Sequence, residues 1–141
     1  MAQGEKLRRT FEKFEKAFKK FKEITRSQHL FDFLNQDLVV EVATKRFEYT
    51  FESMWKTMKE YLREEGIECS TPLQCFKEAF KTGIIDEQHE SLFPEMIEKR
   101  NRIVHVYDNE AALDIYEFIK RDDIFSAIEN VYERIRSKIE D

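Results

Sequence analysis

Glycine and proline are scarce, with three and two in a chain of 141 residues, so few points are available for tight turns. That excludes a β-sandwich or barrel and favours long amphipathic helices. No stretch approaches the ~18 consecutive apolar residues of a membrane span, and the N-terminal segment has no apolar h-region. The chain is therefore expected to be cytoplasmic. Its two cysteines, Cys69 and Cys75, form no CxxC and have no histidine cluster nearby, which argues against zinc and makes reduced thiols the expected state. There is no GxGxxG, Walker loop, GxSxG or HExxH. A Glu-x-x-His pair of the di-iron type is also missing, because Arg26, Asp86 and Arg102 stand three before the histidines. No metal and no cofactor are expected.

What the chain has in quantity is charge, at 38% of residues, and phenylalanine, at 13. The net charge of −5 hides an asymmetry: residues 1–26 carry nine Lys/Arg against four Glu, and the remainder 15 against 25 acidic residues. A basic first helix can steer an anionic partner such as RNA or an acidic protein, although a charge run is more often a solvated face.

Leu7, Phe11, Phe14, Phe18 and Phe21 alternate at spacings of four and three, which predicts a helix from about Glu5 to Thr25 that packs along its length. Ser27 to Gln36 reads as an irregular link. Asp37 is placed to N-cap a second long helix with apolar slots at Phe47, Phe51, Met54, Met58 and Tyr61, ending near Glu65 with Gly66 as its cap. Thr71-Pro72 starts a short helix carrying Phe76, Ala79 and Phe80, and Gly83 closes it. A fourth helix is expected from about Asp86 to Val104, with Pro94 either in its first turn or kinking it. Asn109 can cap a last helical region in which Ile124, Ile128, Val131, Ile135 and Ile139 recur, with room for a break at Lys120 to Asp123. The expected fold is all-α: one domain over residues 1–141, an antiparallel up-and-down bundle of four main helices plus a short one. Its wide apolar arcs leave surface for a self-contact, so a homodimer is expected.

One position does not suit a plain bundle. On an ideal helix Arg100 falls at the centre of the apolar face, with Leu92, Met96 and Ile103 on one side and Phe93, Ile97 and Val104 on the other. Asn101 and His105, four apart, share a flank, and Tyr107 returns to the Arg100 stripe if the helix continues. A guanidinium there needs acceptors. It is either a structural ion pair, with Glu48 or Glu52 of the second helix as candidates, or an arginine facing a groove that binds an anion. His105 alone would read as a structural histidine. Together with Arg, Asn and Tyr it makes a polar cluster that packing does not require: guanidinium holds phosphate, and imidazole exchanges protons near pH 7. Asp108 either orients a neighbour or begins the next cap.

The run from Arg100-Asn101 through His105 to Tyr107-Asp108 resembles the R-N-x3-H-x-Y-D signature of the HEPN superfamily, small helical domains often encoded beside minimal nucleotidyltransferases. The segment Arg46 to Glu52, continuing to Trp55-Lys56 and Tyr61-Leu62, is similar to the second helix of its nucleotidyltransferase substrate-binding branch. The resemblance covers about Phe11 to Ile139. It implies a helical bundle that dimerises with its Arg-His motifs facing one cleft, and a cognate minimal nucleotidyltransferase as partner. In the toxin branch the domain is a metal-independent endoribonuclease that the nucleotidyltransferase neutralises, in some systems by attaching AMP to the motif tyrosine. By position the resemblance makes Arg100, Asn101 and His105 the catalytic residues and Tyr107, with Asp108 beside it, the point of control. The alternative within this branch is a non-catalytic subunit that binds substrate or nucleotide for the nucleotidyltransferase.

The chemistry can be argued independently. Cleaving RNA requires a base for the 2′-OH proton, an acid for the departing 5′ oxygen and positive charge for the phosphorane. Two His105 side chains across a dimer could supply base and acid, and two Arg100 side chains could hold the phosphate.

Overall fold

The computed structural model describes residues 4–105 and 108–140. Among them the chain forms six α-helices and no strand: α1 (Glu5–Arg26), α2 (Gln36–Glu64), α3 (Pro72–Lys81), α4 (Leu92–Ile103), α5 (Asn109–Ile119) and α6 (Asp122–Glu140). Short 3₁₀ turns lie at Gln28–Phe31 and Glu87–His89. No helix among the described residues is long and apolar enough to cross a membrane.

The phenylalanine periodicity of α1 becomes its buried face, with Leu7, Phe11, Phe14, Phe18 and Phe21 all inside. α2 lies along it and answers with Phe47, Phe51, Met54 and Met58, which are fully buried. Rings pass the contact from helix to helix. Phe21 meets Phe47 at 6.0 Å between centroids, Phe47 meets Phe51 at 6.2 Å, Phe51 meets Phe76 of α3 edge-on at 5.8 Å, and Phe76 meets Phe93 of α4 at 5.0 Å. On the other side of α1, Phe11 stacks on Tyr132 and Phe18 on Phe125, both from α6. Aromatic pairs of this kind each add about 1 kcal/mol beyond the area they bury. α6 buries Ile124, Ile128, Val131, Ile135 and Ile139 as its spacing predicts.

The helix ends depart from the sequence reading in several places. Asn35, not Asp37, caps α2, its side chain accepting from the Leu38 amide at 2.9 Å; Asp37 instead lies in the first turn, where its charge suits the helix dipole. The expected helix from Asp86 is a 3₁₀ turn followed by α4 from Leu92. Pro94 sits within the first turn of α4, where an amide would have no intrahelical acceptor, so it causes no kink. α5 is capped by Asp108, which accepts from the Ala111 amide at 2.8 Å, and not by Asn109. The break allowed for at Lys120 to Asp123 is present and divides the last helical region into α5 and α6, so the described residues hold six helices where four and a short one were expected. Arg26 braces that break, donating to the carbonyls of Lys120 and Arg121, each at 3.1 Å, and to Asp122 at 2.8 Å.

The cysteines are a correction. Cys69 and Cys75 form a disulfide, with Cα atoms 5.2 Å apart. Gly66 takes the left-handed conformation at the end of α2, at φ 83°, and the chain doubles back into α3 at Thr71-Pro72. This reversal brings the first turn of α3 against the link that precedes it, within the Cα range a disulfide spans. Six-residue spacing alone carries no such information.

Candidate functional site

Arg100 lies in the last turn of α4 and leans on α2. Its guanidinium stacks over the Phe51 ring, 4.8 Å from the centroid, so the aromatic seam of the core supplies its floor. Nη1 donates to Glu52, and Nε donates to the Asn101 side-chain oxygen at 3.0 Å. Of the two acceptors open to it from sequence, Glu52 is the one used; Glu48 pairs with Lys45 at 3.1 Å. The choice follows from register, since Phe51 and Glu52 are consecutive and Arg100 meets one through its face and the other through its edge.

Glu52 is a hub. It also accepts from the Trp55 indole at 3.3 Å and lies 3.9 Å from Lys56. The arginine's side chain is 22% exposed, and its Nη2 meets no protein acceptor among the described residues. A guanidinium carries five N–H donors. Here two nitrogens are fixed by protein and the third is open, which is how an arginine is held rigid while keeping donors for an anion.

The other motif residues are placed differently from an ideal helix. α4 ends at Ile103, so Val104 and His105 form a turn in which the His105 amide donates to the Arg102 carbonyl at 2.9 Å. His105 thus lies just past the end of α4, and Val104, expected on the apolar face, is 65% exposed. His105 is exposed. Tyr107 lies outside the described residues, and Asp108 is the α5 cap. The structure joins Arg100, Asn101 and Glu52 directly and sets His105 just beyond them in the chain. No group of three or more His, Cys, Asp or Glu suited to a metal ion occurs among the described residues.

The sequence reading missed a neighbouring feature: a cleft of about 500 Å³ between α1 and α2, with Glu52 in its wall. Its signal was present as Tyr49, Trp55 and Lys56 within the α2 segment, but the facing residues of α1 could not be registered against them without the fold.

The six helices, with Arg100 of α4 held against Phe51 and Glu52 of α2, make a small all-α bundle domain. More narrowly, residues 9–137 match the family described as nucleotidyltransferase substrate binding protein like, and the chain belongs to that family. A crystal structure of a protein from Thermus thermophilus is similar at a TM-score of 0.75 and 31% identity, over 87% of this chain and 98% of that one. No curated protein matches the chain.

Proposed function

We propose that the chain works beside a cognate minimal nucleotidyltransferase as a HEPN-type endoribonuclease of toxin–antitoxin kind, cutting cytoplasmic RNA without a metal at a cleft shared by two copies of itself. The observation that carries this reading is Arg100: stacked on Phe51 and tethered by Glu52 and Asn101, it keeps Nη2 available for a phosphate. A fixed donor aimed at developing charge is the most effective form of electrostatic catalysis. His105 is exposed at the end of the same helix and free to reach a substrate. One protomer offers one such imidazole, and the chemistry needs a base and an acid, so the second comes from the partner copy. Tyr107, within the same motif, is the residue the nucleotidyltransferase would modify: a nucleotide on its hydroxyl would add negative phosphate to the motif.

The second reading, a non-catalytic subunit that binds substrate for the nucleotidyltransferase, fits the family's name and is favoured by Glu52, which already neutralises part of the arginine. One experiment separates them. Purified protein incubated with RNA in EDTA should yield fragments ending in 2′,3′-cyclic phosphate, and His105→Ala should abolish them. No cleavage under any condition, together with co-purification of a nucleotidyltransferase, leaves the binding subunit.

A further inference from the structure

The cleft between α1 and α2 is a depression because Thr10, Ala17 and Ser53 are short where the surrounding side chains are long. At that point the two helices pack closely enough that the Thr57 hydroxyl, 2.6 Å from the Ser53 carbonyl of its own helix, also lies 3.2 Å from the Thr10 carbonyl of α1. The shape is therefore set by the fold and not by rotamers alone. Around the rim stand four lysines, Lys6 and Lys13 from α1 and Lys56 and Lys59 from α2.

Two carboxylates also line the cleft, and both are engaged. Glu60, 8% exposed, pairs with Lys6 and Arg63, each at 3.4 Å, and Glu52 is turned toward Arg100. Lys13 and Lys59 have no ion pair among the described residues. Lys6 and Lys56 already face carboxylates, Glu60 at 3.4 Å and Glu52 at 3.9 Å, which leaves Lys13 and Lys59 as the charges a bound polyanion would neutralise. At one side stands Tyr49, 60% exposed, with the Trp55 ring further along the same helix. Lysines with an accessible aromatic face bind phosphates and bases together, the combination that holds single-stranded nucleic acid. An acidic protein segment would use the lysines and have no need of Tyr49.

We propose that this cleft binds single-stranded RNA, with the backbone on Lys13 and Lys59 and a base on Tyr49, leading the strand toward Arg100. The choice of RNA over other single strands rests on the ribonuclease reading above; binding in the cleft does not. Glu52 joins the two places, since it forms a wall of the cleft and holds the motif arginine. The basic first helix then has a purpose in the half it turns toward α2.

Trp55 is the chain's single tryptophan and lines the cleft, so its fluorescence reports occupancy there. The full-length His105→Ala protein, which cannot consume the probe, is titrated in EDTA with octauridylate. Saturable change of Trp55 emission is expected. Lys13→Glu with Lys59→Glu should weaken binding at least tenfold and reduce the slope of log K against log salt by roughly 1.4, as expected for two lost phosphate contacts on a single strand. Tyr49→Ala should weaken binding by about five-fold or more. An unchanged urea midpoint shows that these surface variants remain folded. The proposal fails if the double-lysine variant binds octauridylate as tightly as its parent. It fails also if ATP binds and the oligomer does not, or if polyglutamate binds equally well and is indifferent to Tyr49. Octauridylate binding of the expected kind, with a wild-type protein that cuts no RNA, would refute the ribonuclease reading and leave the cleft standing. Cleavage with lysine-independent binding would do the reverse.

Discussion

The seam between α1 and α2 and the corner between α4 and α5 are built on opposite terms. In the seam, Phe14, Phe21, Phe47 and Phe51 are completely buried and their rings run on into α3 and α4. At the corner α4 stops at Ile103, Val104 and His105 are exposed, and a capped turn begins α5. The seam can hold the bundle because its phenylalanine face excludes water. The corner leaves His105 exposed, so the end of the motif is not consumed by packing. They meet at one contact, Arg100 against Phe51 and Glu52, where the buried seam fixes the motif arginine.

The comparison breaks most visibly in the seam. Phe47→Ala removes a fully buried ring from the middle of the aromatic series and should cost about 3–5 kcal/mol, read from urea unfolding. His105→Ala should change stability by less than about 0.5 kcal/mol while cleavage is lost. If the histidine variant is as unstable as the phenylalanine variant, the division of labour between the two regions is wrong. Next in size is the bridge between Cys69 and Cys75. Opening it with dithiothreitol should lower stability by roughly 2 kcal/mol, at the low end for disulfides because it closes a short loop. Trp55, which packs against this pair and donates to Glu52, is the one route by which the loss could reach the arginine corner, and its fluorescence checks that.

A smaller effect sharpens the contact between the regions. Glu52→Gln keeps the shape and an acceptor oxygen but removes the charge facing Arg100, so stability should fall by about 1 kcal/mol or less. Anion affinity at the corner should rise, since the guanidinium is no longer neutralised. Titration with inorganic phosphate checks this. An unchanged phosphate affinity would mean that Glu52 only positions the arginine.

Much of the seam was legible in the sequence, because periodicity is a property of one helix at a time: the slots of α1, α2 and α6 needed no knowledge of their neighbours. Caps were less so. Asn35 and Asp37, or Asp108 and Asn109, are both competent within two residues of each other, and the choice depends on how the preceding link arrives. What stayed hidden depends on register between elements. Whether Arg100 meets Glu48 or Glu52, whether Cys69 reaches Cys75, and whether Thr10 and Ala17 of α1 lie opposite Ser53 of α2 are all decided by packing. Assuming an unbroken helix through Val104 put that residue on the apolar face, where it is instead 65% exposed.

The smallest prediction concerns the far side of α1. Tyr132 of α6 donates its hydroxyl to Glu15, between the rings of Phe11 and Phe14. Burial, and then the neighbouring Glu15 carboxylate, push its phenol up to about 12. In the unfolded chain a tyrosine ionises near ~10. The folded state thus favours the neutral phenol more than the unfolded state does. That contribution is whole below pH ~10 and is lost as the pH rises toward about 12. Tyr132→Phe keeps the stacked ring, gives up one hydrogen bond worth about 1 kcal/mol at neutral pH, and removes the titration. Urea midpoints measured between about pH 8 and 11.5 should therefore converge, the wild type starting higher and falling faster. Lysine titration affects both proteins alike and cancels in the difference. If the two curves fall in parallel, the Tyr132–Glu15 link contributes nothing that depends on its proton, and α6 is held to α1 by the rings alone.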